Sequence, residues 1–122
     1  MNYNFNQNKS FSYKLNSNSY DNENCILKFS NCDKKFPLWN LNKTELKAFI
    51  SFAKKIENLS WKEIKFYDGF NYEPLPNLTP PSNLEKDITL HSMRISQKFR
   101  IIGYRLESFF YIVWFDKNHI TC

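Results

Sequence analysis

Apolar positions along this chain change their spacing twice, and each change marks a change of element. Residues 1 to 24 hold no sustained period: eight Asn and four Ser are scattered among Tyr and Phe, and only Phe11, Tyr13 and Leu15 alternate with Ser12 and Lys14 as a short strand would. This stretch reads as a polar, partly flexible N-terminal extension. Cys25-Ile-Leu-Lys-Phe-Ser30 is the next strand candidate, with a turn over 31–35. Helical spacing follows, where Leu46, Phe49, Ile50, Ala53 and Ile56 form one stripe behind Asn42 and Glu45, residue types that make a capping box at this separation. Lys47, Lys54, Lys55 and Glu57 fall on its outer face, which predicts a solvated surface. Ser60 and Glu63 repeat the box ahead of Trp61, Ile64 and Phe66 or Tyr67, and Gly69 ends this shorter helix.

Residues 73 to 81 carry four of the five prolines and are expected to form a connecting loop without regular structure. Ser82 and Glu85 are placed to cap one further helical turn. From Ile88 the period becomes two, predicting strands over 88–95, 98–106 and 109–115, with Glu107-Ser108 as a two-residue hairpin link. In the second strand Phe99, Ile101, Gly103 and Arg105 share one face, and Arg100, Ile102, Tyr104 and Leu106 the other. The third is apolar on both faces, which predicts a central strand. The expected fold class is α+β: a helical hairpin packed on a C-terminal antiparallel β-sheet, forming a single domain over residues 25 to 122.

Composition narrows the classes. With 18% aromatic and 42% hydrophobic residues in 122, the chain has the material for one core. The densest apolar run, Phe109 to Phe115, is far short of the roughly 20 residues of a membrane helix, so no membrane partner is expected. The start lacks the basic cap and apolar centre of a secretory signal, and the expected location is cytoplasmic. Cys25, Cys32 and Cys122 fit neither a disulfide framework nor a four-ligand zinc site and read as free thiols. The only glycines, Gly69 and Gly103, form no phosphate-cradling loop. No cofactor and no metal are therefore expected.

Charge adds a location. Of the net +5, the last 35 residues supply +3, through Arg94, Lys98, Arg100, Arg105 and Lys117 against Glu107 and Asp116. The chain has fourteen Lys but three Arg, all within twelve residues, and a guanidinium fork grips phosphate or carboxylate bidentately where an ammonium does not. Both histidines, His91 and His119, lie in this same region. His91 reads as structural.

Two stretches, Met93-Arg-Ile-Ser-Gln-Lys-Phe-Arg-Ile-Ile-Gly-Tyr-Arg-Leu106 and Phe110-Tyr-Ile-Val-Trp-Phe-Asp-Lys-Asn-His119, together with the order strand, helix, helix, three strands, resemble the RelE/YoeB-like (RelE/ParE superfamily) toxins of bacterial toxin-antitoxin systems. In that family a central strand carries Arg-apolar-x-Tyr after an upstream base, and a His or Tyr closes the last strand. Here Arg100-Ile-Ile-Gly-Tyr104-Arg105 is similar with one residue more, Arg94 or Lys98 matches the upstream base, and His119 the C-terminal acid. Gly103 is an insertion, no Tyr follows His119, and residues 1 to 24 have no counterpart. The resemblance implies a RelE-like topology and a metal-independent endoribonuclease that cleaves messenger RNA, with or without the ribosome. It implies RNA or the ribosome and an acidic antitoxin as partners.

The residue chemistry is compatible. Cleavage by the 2′-hydroxyl needs a base, stabilisation of a phosphorane-like charge and an acid for the leaving oxygen. Arg94, Arg100 and Arg105 are candidates for the stabilisation, and His119, whose type titrates near neutrality, for the acid. Tyr104 serves as base only if neighbouring arginines lower its pKa; Glu63 and Glu107 are the other candidates. Arg100, Tyr104, Arg105 and His119 are thus the expected catalytic group, and Arg94, Lys98 and Lys117 the expected RNA contacts. Two other classes stay open. One is a non-catalytic inhibitor or adaptor encoded by a phage or mobile element, of the anti-CRISPR type, binding a nucleoprotein through the basic sheet. The other is a domain whose basic face meets an acidic protein.

Overall fold

Both helices begin where their caps dictate. In the computed structural model, which describes residues 17–121, α1 spans Lys43–Ile56 and α2 spans Trp61–Phe66. The Glu45 N–H donates to the Asn42 side chain and the Asn42 N–H to the Glu45 carboxylate, each at 2.8 Å. Ser60 and Glu63 make the same reciprocal pair at 3.1 and 2.8 Å. The buried stripe of α1 differs from the expected one: Phe49, Phe52 and Ile56 face inward, whereas Leu46 and Ile50 are exposed. Phe52 takes the inner seat because its ring stacks on Phe49 at 6.2 Å and meets Phe70 edge-on at 5.3 Å.

Five strands form one sheet: β1 (Ile26–Lys28), β2 (Glu73–Leu75), β3 (Leu90–Arg94), β4 (Arg100–Leu106) and β5 (Phe109–Asp116), in the order β1-β5-β4-β3-β2. The sheet is α+β and mixed rather than purely antiparallel, because β1 runs parallel to β5, pairing Ile26 with Phe109. The chain between them carries both helices over one face, as a parallel connection requires. β2 corrects the expectation of an unstructured proline loop. It pairs with β3 from Glu73↔Ser92 to Leu75↔Leu90, and Pro74 is tolerated because β2 lies at the sheet edge. No helix among the described residues is long and apolar enough to cross a membrane.

Both faces of the sheet are covered. On one, Phe49, Phe52, Ile56, Trp61 and Ile64 of the helices pack on Met93, Ile101, Phe110, Ile112 and Phe115. On the other, Leu90, Ile102, Val113 and Trp114 lie beneath Phe36, Leu75, Leu78, Leu84 and Ile88. The alternation predicted for β4 holds, but β5 carries a bulge. Ile102 pairs with Trp114 and Gly103 with Ile112, so Val113 is the extra residue and shares a face with its neighbour Trp114. The Val113 carbonyl accepts instead from the Asp33 N–H at 2.9 Å. Gly103 opposite the bulge has no room for a side chain, since a Cβ there would overlap the Tyr111 carbonyl oxygen and lie 3.0 Å from the Phe110 ring.

Residues just before Cys25 belong to the domain. The Lys62 N–H donates to the Asp21 carbonyl at 2.8 Å and the Trp61 N–H to the Glu23 carbonyl at 3.0 Å. The domain thus starts no later than Asp21, earlier than the charge and period changes suggest. The strand expected at Phe11 to Leu15, and Cys122, lie outside the described residues. Burial pushes the Cys25 thiol up to about 12 against the opposing charge of Arg105, which leaves it protonated and unreactive at neutral pH.

His91 is a structural histidine with a measurable consequence. Its ring stacks on Tyr72 at 4.8 Å and 11°, and burial holds its pKa below the ordinary value despite its hydrogen bond to the Thr89 carbonyl. The fold favours neutral imidazole. This contribution is therefore complete above about pH 6.5, the ordinary histidine value, and is lost as pH falls from there through the lowered native pKa. Urea midpoints are expected to drop between about pH 7.5 and about pH 5.5, and His91→Phe, which keeps the stack, is expected to flatten that drop. An equally steep drop in the variant would assign it to other groups.

Candidate nucleic-acid interface

The register of the sheet sorts the expected site residues into two groups. Arg94, Arg100 and Asp116 lie in one row across β3, β4 and β5. Lys98 lies in the turn between β3 and β4, and Lys117 and His119 follow β5, so five of the seven expected residues collect at one end of the sheet. Arg105, paired with Phe110, and Tyr104, paired with Tyr111, lie towards the other end. At the rise of an extended strand, Arg100 and Arg105 are about 17 Å apart. The expected catalytic group of Arg100, Tyr104, Arg105 and His119 therefore does not converge.

Each member has local reasons for its place. Arg105 lies over the Trp61 ring at 4.3 Å, pairs with Asp21 at 2.9 Å, and donates from Nε to the Glu107 carbonyl at 2.7 Å. These bonds, with that from the Tyr20 hydroxyl to the Glu107 carboxylate at 3.1 Å, hold Glu107 at φ 58, a backbone region that side chains rarely adopt. Tyr104, on the opposite face, stacks on Tyr111 at 5.1 Å and accepts a hydrogen bond from Asn31. Burial raises its pKa despite that bond. The lowering by arginines that a Tyr104 base would need is the reverse of what is found.

At the other end, Arg100 is buried and its guanidinium donates to the carbonyls of Ser96 at 2.9 Å and Gln97 at 3.0 Å. It thereby braces the turn that presents Lys98. The buried Asp116 carboxylate accepts from the Ile120 and Thr121 N–H groups at 2.9 and 2.7 Å and from the Thr121 hydroxyl at 2.6 Å, closing the turn on which exposed His119 sits at φ 58. Lys117 donates to the Asn40 carbonyl at 2.7 Å and lies 3.7 Å from Glu45, and Trp39, next to Asn40 in sequence, is exposed. Arg94 and Lys98 are exposed, and among the described residues neither has an ion-pair partner.

No protein-family model, curated protein or solved structure matches this chain.

Its site must be read from its own residues. One residue that sequence reasoning placed on a solvated face instead lines a groove with one of the expected site residues. Lys55 lies over the Tyr67 ring at 4.0 Å, hydrogen-bonds the Tyr67 hydroxyl, and faces a groove of about 390 Å³ between α1 and β3 that Arg94 also lines. The only local signal was an aromatic pair, Tyr67 and Phe70, after a helix ending in two lysines. Among the described residues no group of three His, Cys, Asp or Glu side chains is placed to hold a metal ion.

Proposed function

We propose that this chain binds single-stranded RNA through the cation-lined end of its sheet. The observation that carries the reading is the row-end collection of Arg94, Lys98, Lys117 and His119, with exposed Trp39 next in sequence to the Asn40 that Lys117 bonds and exposed Tyr67 beneath Lys55. Cations that follow a phosphate backbone, alternating with rings on which bases stack, are the usual device for single strands. Helices and loops cover the two faces of the sheet, so this binding uses the end of the sheet rather than the basic face expected from sequence.

The expected result is an affinity that falls steeply with salt. The slope is about −0.7 per phosphate contact, and Arg94→Ala or Lys98→Ala lowers both the affinity and the slope. Anisotropy of a labelled oligoribonucleotide across a salt series measures it, and no binding at low salt would end the reading.

Cleavage in the manner of the RelE/YoeB-like toxins is the narrower form of the same reading. Of the four residues expected to catalyse, Arg100 and His119 lie at this end, so proton transfer to the leaving oxygen would fall to His119. His119→Ala is then expected to slow single-turnover cleavage by roughly a hundredfold with RNA affinity kept within a few-fold. If wild type cuts neither free RNA nor message on ribosomes, the function is binding alone. The alternative of an acidic protein partner draws on a separate observation. Ile26, Phe29, Leu46 and Ile50 are exposed along β1 and α1, with Lys28, Lys47 and Lys54 among them, a surface suited to an acidic protein partner.

A further inference from the structure

Two cationic residues line the groove between α1 and β3, and both are tied to one aromatic pair, Lys55 through its ammonium and Arg94 through its backbone. The Arg94 N–H donates to the Phe70 carbonyl at 2.6 Å, which anchors the backbone of Arg94 beside that ring. Lys55 comes from the last turn of α1, with its ammonium 4.0 Å from the Tyr67 ring centroid and 5.7 Å from that of Phe70. Tyr67 and Phe70 meet edge to face at 4.8 Å, so the ring that holds the Lys55 ammonium packs on the residue that holds the Arg94 backbone. Ser51 adds a hydroxyl, and the remaining lining is Ala48, Phe52, Gly69 and Ile95. Among the described residues no carboxylate lines the groove. One cation held on a ring, a second on an anchored backbone, two hydroxyls and no opposing charge suit an oxyanion, and about 390 Å³ has the room for a nucleotide.

Gly69 completes the arrangement. A Cβ there would come within 2.5 Å of a Tyr67 ring carbon and 2.9 Å of its hydroxyl, so the bare backbone is what lets the ring lie where it positions Lys55. The obstacle is the far end of a flexible side chain, so a larger residue displaces the ring without breaking the fold.

We propose that this groove holds one backbone phosphate of a bound single-stranded RNA between Lys55 and Arg94. The proposal rests on the reading of the chain as RNA-binding and extends it beyond the end of the sheet, along the flank of α1. Of the two cations only Arg94 was expected to touch RNA, so Lys55 is the second. The second comes from a helix face that sequence marked as solvated.

The experiment uses the whole ¹⁵N-labelled chain with three probes: inorganic phosphate, adenosine 5′-monophosphate and a single-stranded oligoribonucleotide. The expected result is that the oligoribonucleotide and the monophosphate shift the amides of Ser51, Lys55, Tyr67, Gly69 and Arg94. Lys55→Gln should weaken oligoribonucleotide binding about tenfold and reduce the salt slope by about 0.7. Gly69→Ala, which alters no charge, should weaken it several-fold with an unchanged amide spectrum away from the groove. Oligoribonucleotide binding that survives Lys55→Gln at full affinity and slope overturns the groove but leaves the RNA reading standing. Inorganic phosphate shifting the same amides as strongly as the monophosphate assigns the groove to free phosphate and overturns the proposal as stated. If no oligoribonucleotide binds at low salt, the RNA reading falls, and the proposal with it.

Discussion

Gly103→Ala is expected to destabilise the protein by about 3 kcal/mol or more, or to prevent folding, although it adds a single methyl group. The methyl would overlap the backbone carbonyl oxygen of Tyr111 and reach within 3.0 Å of the buried Phe110 ring. Neither neighbour yields cheaply. Tyr111 lies on a central strand held by β4 on one side and β1 on the other, and Phe110 is fully buried. The bulge at Val113 makes the close approach necessary, because register changes between Ile102 and Gly103. A chain of this size loses roughly 10 °C in melting temperature for such a change. Thermal and urea unfolding followed by circular dichroism measure it. A loss under about 1 kcal/mol would mean that the strands separate at the bulge more easily than the geometry allows.

Arg105→Met is expected to cost about 2 kcal/mol of stability while leaving RNA affinity within a few-fold, the opposite of what a catalytic or phosphate-binding arginine would give. The Arg105 side chain is 9% exposed and its partner Asp21 22% exposed, so the pair is partly screened and the estimate lies below that for a fully buried ion pair. Methionine keeps much of the contact with Trp61 but leaves Asp21 with Lys65 alone, 2.8 Å away. Burial of the Asp21 carboxyl raises its pKa, yet the hydrogen bonds and charges of Lys65 and Arg105 outweigh that and hold it below the usual carboxylate value. The stabilisation is therefore present above about pH 4 and lost as pH falls through the native pKa. Arg105→Met should lose less stability than wild type on that descent. A double-mutant cycle with Asp21→Asn isolates the pair, and zero coupling would refute it. Loss of RNA binding in a folded Arg105→Met would return Arg105 to the functional site.

Features written within a few residues were legible in the sequence, and those set by distant partners were not. The caps at Asn42 and Ser60 act through side chains three residues apart, so residue type and spacing sufficed. The β4 and β5 hairpin was readable because alternation and a two-residue link are local. The parallel pairing of β1 with β5 leaves no local mark, and β2 was hidden because proline removes the donor that an interior strand would need and an edge strand spares. The roles of the arginines followed the same division. Their clustering was visible, but whether each meets solvent, a carbonyl or a carboxylate was settled elsewhere: Arg94 by its exposure, Arg100 by the turn at Ser96 and Gln97, and Arg105 by Asp21 in a stretch that read as loose polar chain.

Parallel pairing of Ile26 with Phe109 also fixes an order of assembly. The capped helices and the β4–β5 hairpin close over short stretches and form early, whereas β1 must find β5 across nearly the whole described chain, a step that costs loop entropy before any contact repays it. Until then the Ile26 N–H, which ends 3.0 Å from the Ser108 carbonyl, has no strand to bond. A nascent chain halted before Phe109 would hold β4 without β5 and the helices without Phe110, Ile112 and Phe115 beneath them, a form open to proteases and to association with its own copies.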